Sequence, residues 1–232
     1  MGRETRTILV VDGSASSLFS MVVLLRRLEY RVLTARSGRE ALQALEKSLP
    51  AVAITDSVLP DMDGASLLKA AKDDERLQPI PVIVLMSRED PSLEAACSRI
   101  GCSACLPKAC EPADLYRTIQ SLSESAPRQH IRLAMSVRVI VGDGTALGGA
   151  ERAERATAIS EGGLHVLTRY PQPQNAVTPL RIFLGEREVR AKALVLYSTQ
   201  DGMGMKFTRL EDSDRDLLRQ YIKAQLTKDI AH

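Results

Sequence analysis

The sequence predicts an α/β protein in two parts: a doubly wound parallel sheet of five strands, then a small antiparallel β-barrel with a C-terminal helix. Three observations predict it. In the first half, short runs that are apolar throughout (Ile8–Val11, Val32–Leu33, Val52–Ile54, Val82–Met86) are separated by mostly helix-length segments. Strands covered on both faces by helices read in this way. In the second half the pattern changes to period two. Leu133, Met135, Val137, Val139 and Val141 alternate with Ala134, Ser136, Arg138 and Ile140, and Val189 through Tyr197 repeat the alternation, which marks antiparallel strands with one buried face. Finally, 232 residues at 44% hydrophobic content suffice for two ordinary cores.

Taken in order, the first helix carries Leu18, Met21, Val22, Leu25 and Leu28 as a stripe at helical spacing. Phe19 and Val23 lie off that stripe as an i, i+4 pair, either a partner surface or the edge of a broad core face. A short fifth strand holds Cys105. Pro112-Ala-Asp-Leu115 opens the last helix of this half, with Leu115, Ile119 and Leu122 in phase, and the serines and proline of Ser121–Pro127 end it. The domains are therefore expected at 5–124 and 126–227. So short a linker transmits orientation better than a long flexible one. Gly142-Asp-Gly144, Gly148-Gly149, Gly162-Gly163 and Gly202-Met-Gly204 supply turns between the strands of the second half. A helix over Ser213–Leu226 closes the chain, with Ser213 as its cap, Asp214 and Asp216 in its first turn, and Leu217, Leu218, Tyr221 and Ile222 facing the core.

Several function classes are disfavoured. A net charge of +2, aromatics at 3% and no run of lysine and arginine argue against a nucleic-acid surface. The start, Met1-Gly-Arg-Glu4, leads into a strand without an apolar h-region, and no stretch is long enough to span a bilayer, so a cytoplasmic protein is expected. His130, His165 and His232 are scattered, and there is neither a Cys/His pair nor a serine-nucleophile motif, so no enzyme is expected. The four cysteines, Cys97, Cys102, Cys105 and Cys110, lie close in sequence. Two readings stand for them: a redox or metal cluster, or small hydrophobes filling a helix face and a strand.

In open parallel sheets ligands gather at the carboxyl ends of the strands. That edge carries Asp12, Asp56, Ser87 and Lys108. One carboxylate to accept a phosphoryl group, a second acid to help hold a hard cation, a hydroxyl to bond the phosphoryl and an ammonium to neutralise it form a coherent set. With Ile54-Thr-Asp56-Ser-Val58-Leu-Pro-Asp-Met-Asp-Gly64, these residues make the first half resemble a response-regulator receiver domain. The resemblance implies a sensor histidine kinase as partner and Asp56 as phosphoacceptor. It also implies Mg2+ held by Asp12, Asp56 and the Val58 carbonyl, with Ser87 and Lys108 touching the phosphoryl group. Three departures stand out. Gly13 replaces the second acid, so Mg2+ is expected to bind weakly or not at all. Ala109 follows Lys108 where proline is usual, and Cys105 occupies the place of a switching aromatic ring.

Arg128-Gln-His-Ile-Arg132, the turn Ile159-Ser160-Glu-Gly-Gly163-Leu164 and Gly202-Met-Gly-Met-Lys-Phe207 make the second half resemble a PilZ domain. Two guanidinium groups four residues apart can fork onto phosphate oxygens or a guanine edge. A serine hydroxyl and close-approaching glycines fit a ligand against the barrel. The resemblance implies cyclic di-GMP as ligand, bound by Arg128, Arg132, Ser160 and Gly163. His130 lies between the arginines, either touching the ligand or merely solvated. Ala158 departs from the aspartate or asparagine of the family, and a lost hydrogen bond of this kind is worth about 1–3 kcal/mol. The expected function is a signalling regulator that couples a receiver-like phosphoacceptor domain to a cyclic di-GMP receptor. Its output would run through an unidentified downstream protein, and a homodimer is allowed. The alternative is a non-binding adaptor in which both sites are degenerate and the domains serve as docking surfaces in motility, polarity or developmental signalling.

Overall fold

The computed structural model describes residues 5–145 and 149–228, so the expectations at Met1–Glu4 and at Gly148 lie outside the described residues. The chain divides into two compact units, with the boundary between Gln129 and His130.

The first unit alternates strand and helix throughout: β1 (Thr7–Val11), α1 (Ala15–Arg27), β2 (Arg31–Ala35), α2 (Gly38–Ser48), β3 (Val52–Asp56), α3 (Gly64–Asp73), β4 (Val82–Met86), α4 (Pro91–Ile100), β5 (Ala104–Pro107) and α5 (Pro112–Ser123). The strands form one parallel sheet in the order β2-β1-β3-β4-β5. β3 and β4 are buried along their whole length, as their unbroken apolar character requires. Side-chain oxygens start four of the helices: Ser14, Ser37, Asp63 and Asp90 accept from the backbone N–H groups of Ser17, Glu40, Ser66 and Leu93. Gly101 ends α4 at φ 102°, a left-handed position that glycine adopts without a Cβ penalty.

The stripe read for α1 is displaced. Leu18, Leu25 and Leu28 are buried, but Leu24 joins them while Met21 and Val22 are only half-buried. Phe19 stays 66% exposed, so it is not an edge of the core. β5 is half-buried rather than buried. As the terminal strand of the sheet it has a neighbour on one side alone. On α5, Tyr116 and Gln120 are buried beside Leu115 and Ile119. The Gln120 amide donates to the Tyr30 hydroxyl at 2.7 Å, which ties α5 to the turn before β2.

The second unit is a closed barrel of β6 (Arg132–Val141), β7 (Arg152–Ser160), β8 (Gly163–Leu167), β9 (Val177–Leu184), β10 (Arg187–Ser198) and β11 (Gly202–Leu210), followed by α6 (Asp212–Thr227). Around the barrel the order is β10-β11-β8-β7-β6-β9, and every pairing is antiparallel. Val137, Val139 and Val141 of β6 and Val189, Ala191, Ala193 and Val195 of β10 point into the core, following the period-two pattern. A register shift between Ala134 and Val137 leaves Met135 half-buried, since a bulge disturbs the alternation locally. Leu218, Ile222 and Leu226 are the buried residues of α6. Its expected serine cap is corrected: the cap position is Glu211, which makes no side-chain cap hydrogen bond, and Ser213 lies inside the first turn. The acids Asp212 and Asp214 in that turn supply the favourable charge at the positive end of the helix.

Two predictions follow from packing. Burial pushes the Tyr30 hydroxyl from an ordinary 10.0 up to about 12, although its bond to Gln120 pulls the other way. The unfolded tyrosine therefore loses its proton first. The first unit keeps its full stability below about pH 10, then loses it progressively as pH rises toward 12. Tyr30→Phe removes this alkaline slope in denaturant titrations. Gly163→Ala places a Cβ 2.1 Å from the Met205 carbonyl oxygen across the β8–β11 ladder, and lowers barrel stability in thermal melts by about 2 kcal/mol or more.

Candidate functional site

The parallel arrangement delivers the ends of β1, β3 and β5 to one edge of the sheet. Asp12 follows β1, Asp56 closes β3 and Lys108 follows β5, its backbone N–H donating to the Met86 carbonyl at 2.8 Å. Asp12 and Asp56 are each 7% exposed, and the Lys108 ammonium donates to both, at 2.9 Å to Asp12 Oδ2 and 2.5 Å to Asp56 Oδ2. Burial opposes the charge on Lys108, but the two carboxylates outweigh it and hold the ammonium above the ordinary lysine range. The backbone N–H of Ser14 donates to the other Asp12 oxygen at 2.8 Å. Ser87 is exposed just past β4, and among the described residues no hydrogen bond ties it to the other three. Val58 is 70% exposed and forms a bridge with Asp63.

The acids in the loop after β3 hold structure. Asp61 accepts from the backbone N–H groups of Gly38 and Arg39 at 2.8 and 3.1 Å, bonds that hold its carboxyl below the usual range. Asp63 caps α3. The Asp61 contact bridges two loops distant in sequence, and no local spacing reveals it. Gly13 packs against Pro60, so that a Cβ there would lie 3.0 Å from the proline ring.

These residues fit a magnesium site poorly. Two carboxylates already share one ammonium, the third acid is a glycine, and the described residues contain no group of three His, Cys, Asp or Glu able to hold a metal. The cysteines show a packing role instead. Cys97 is the buried residue of α4 and part of the core, against which Cys102 and Cys105 pack with their sulfurs 3.5 Å apart. Burial pushes the Cys105 thiol up to about 12 and raises Cys97 and Cys110 as well, the condition of inert thiols.

In the barrel, Arg132 opens β6 directly opposite Ser160, the last residue of β7. Ser160 Oγ donates to the Gly163 carbonyl at 3.1 Å across the turn. The His130 ring lies against Gly162, 2.7 Å from where a Cβ would be, and the Phe207 N–H donates to the Gly162 carbonyl at 2.9 Å. A Cβ at Gly162 would push the His130 ring aside. Glu161 of the same turn pairs with Arg219 of α6 at 3.1 Å. Ala158 is buried and sits in the ladder opposite Ala134 and His165, so no side-chain acceptor stands at that position.

Arg128 belongs to the first unit. Its Nη1 donates to Glu29 Oε2 at 2.8 Å and its backbone N–H to Gln120 Oε1 at 3.1 Å. The two arginines of the Arg-x-x-x-Arg spacing therefore fall on opposite sides of the unit boundary. Gln120 and Glu29 are partners that sequence reasoning missed. A buried polar residue in phase with Tyr116 was the available signal for the first, and nothing local marked the second.

Comparisons with known proteins agree with this geometry. The response regulator receiver domain matches residues 8–120, and the PilZ domain matches residues 124–224. The chain is 38% identical over 112 residues to the two-component response regulator ORR7 of Oryza sativa subsp. japonica, covering 47% of this chain and 53% of that protein. It is 35% identical over 112 residues to ORR3 of Oryza sativa subsp. indica, covering 47% of this chain and 85% of that protein. The chain thus spans about half the length of one relative and most of the other. Among solved structures, a chain from Chloroflexus aurantiacus J-10-fl assigned as a response regulator aligns at a TM-score of 0.50 with 31% identity, covering 51% of this chain and 98% of that one. With a five-stranded parallel sheet gathering Asp12, Asp56 and Lys108 at its edge, followed in the chain by a six-stranded barrel, this chain belongs to the response regulators and joins a receiver domain to a PilZ domain.

Proposed function

We propose that this signalling regulator binds cyclic di-GMP at the Arg132/Ser160/Gly163 end of its barrel and passes the result to a downstream protein, with no catalysis of its own. The observation that carries the reading is the register of β6 on β7. It sets a guanidinium-bearing residue opposite a serine whose turn packs closely through its two glycines. Arg132 and Arg128 would take the phosphates and guanine edges, chemistry suited to planar bidentate donors. Ser160 and Gly163 would seat the ligand against the turn. The buried Ala158 removes one hydrogen bond, which lowers affinity about tenfold to a hundredfold without abolishing it.

In the receiver, Asp56 is the proposed phosphoacceptor, with Lys108 and Ser87 to contact a phosphoryl group delivered by a sensor histidine kinase. Lys108 already neutralises both acids. In that arrangement the ammonium takes the place of cation charge, and metal-assisted phosphorylation is correspondingly weak. A second reading, an adaptor with both sites inactive, draws support from the same ammonium and from Ala158. The proposed domain limits remain 5–124 and 126–227.

Calorimetric titration with cyclic di-GMP tests the leading reading. Saturable binding in the micromolar range is expected for the wild type and none for Arg128→Ala/Arg132→Ala; equal heats from both proteins would overturn the assignment. A second measurement addresses the cation. Lys108→Met removes the competitor from between two carboxylates, so Mg2+ or Mn2+ affinity should rise several-fold over the wild type. Wild-type binding as tight as the variant's would show that the ammonium does not compete.

A further inference from the structure

We propose that Glu29 of the receiver competes with the nucleotide for Arg128, so that the receiver sets the affinity of the PilZ site through one carboxylate. This rests on the cyclic di-GMP reading above. Arg128 Nη1 is 2.8 Å from Glu29 Oε2, with the two side chains 26% and 28% exposed. The pair is partly withdrawn from water, where a charge-assisted bond holds better than on an open surface.

Both partners are held in place. Glu29 follows the end of α1 at φ 67°, a left-handed backbone position, and its N–H donates to the Arg26 carbonyl at 3.1 Å. That turn aims the carboxylate from a closed loop instead of a mobile one. Gln120 accepts the Arg128 backbone N–H at 3.1 Å while its own amide donates to Tyr30 at 2.7 Å, and Gln120 is only 4% exposed. The amide is thereby oriented with its oxygen toward the arginine. Main chain and side chain of Arg128 are both gripped by the first unit, the main chain by Gln120 of α5 and the side chain by Glu29 of the α1–β2 turn together with Tyr116 of α5.

The Nη1 that Glu29 holds must leave that carboxylate before it can join a fork onto a phosphate. The nucleotide therefore binds more weakly by the factor that the Glu29 contact favours the gripped state. Linkage makes the effect reciprocal: a bound nucleotide that takes Arg128 draws it away from Glu29 and loosens the hold on Gln120. Anything that shifts α5 or the α1–β2 turn of the receiver then alters nucleotide affinity, without touching the barrel.

Two measurements on the full chain test this with Glu29→Gln, which keeps the side-chain size and removes the charge. Trypsin cleaves after arginine, so the Arg128–Gln129 bond reports the grip without any nucleotide. Cleavage there, followed by fragment mass, should be several-fold faster in Glu29→Gln than in the wild type. In calorimetry, Glu29→Gln should bind cyclic di-GMP about three- to tenfold more tightly, the range expected of a partly buried charge-assisted contact. Unchanged cleavage would overturn the grip. Faster cleavage with equal nucleotide affinity in both proteins would overturn the competition and leave the ligand assignment standing. Faster cleavage with no binding in either protein would overturn the nucleotide reading, and the competition with it.

Discussion

The Lys108 ammonium, lodged between the buried carboxylates of Asp12 and Asp56, is the constraint on which the receiver's chemistry depends. Two carboxylates this close and this shielded would repel one another if left alone. A single cation compensates both and joins the carboxyl ends of the first, third and fifth strands. The same bond defines what the site accepts. A divalent metal would have to displace an ammonium already paired with two acids, and it would find glycine where a third acid would help.

Around that cluster the remaining acids serve the scaffold. Asp61 and Asp63 satisfy backbone N–H groups at the starts of the second and third helices, and so set the shape of the loop carrying Val58. The barrel has a different economy. Its candidate site depends on the absence of side chains: Gly162 admits the His130 ring and Gly163 admits the neighbouring strand's backbone. Charge enters through Arg132 in the ladder, whereas Arg128 is engaged by Glu29 and Gln120 of the receiver.

Much of this was legible in the chain. Unbroken apolar runs marked the parallel strands, and period-two alternation marked β6 and β10, because burial on two faces or on one leaves a direct trace in hydrophobicity. Asp12, Asp56 and Lys108 were legible as a set, since the carboxyl ends of parallel strands necessarily share an edge. The last helix is capped at Glu211, two residues before the serine that sequence marks, because that cap uses no side-chain bond. The stripe on α1 differs from its spacing because Leu24 is buried while Met21 is only half-buried.

By itself the sequence determined the architecture of each domain, the order of its elements and the identity of the groups gathered at the sheet edge. These follow from periodicity and composition, which are local properties. Only the tertiary structure decided that one ammonium spans both acids, that Asp61 caps a helix 22 to 23 residues away, and that Arg128 is paired with Glu29 across a separation of 99 residues. Contacts between charged side chains distant in the chain leave no periodic signature, because a single ion pair constrains two positions and nothing in between.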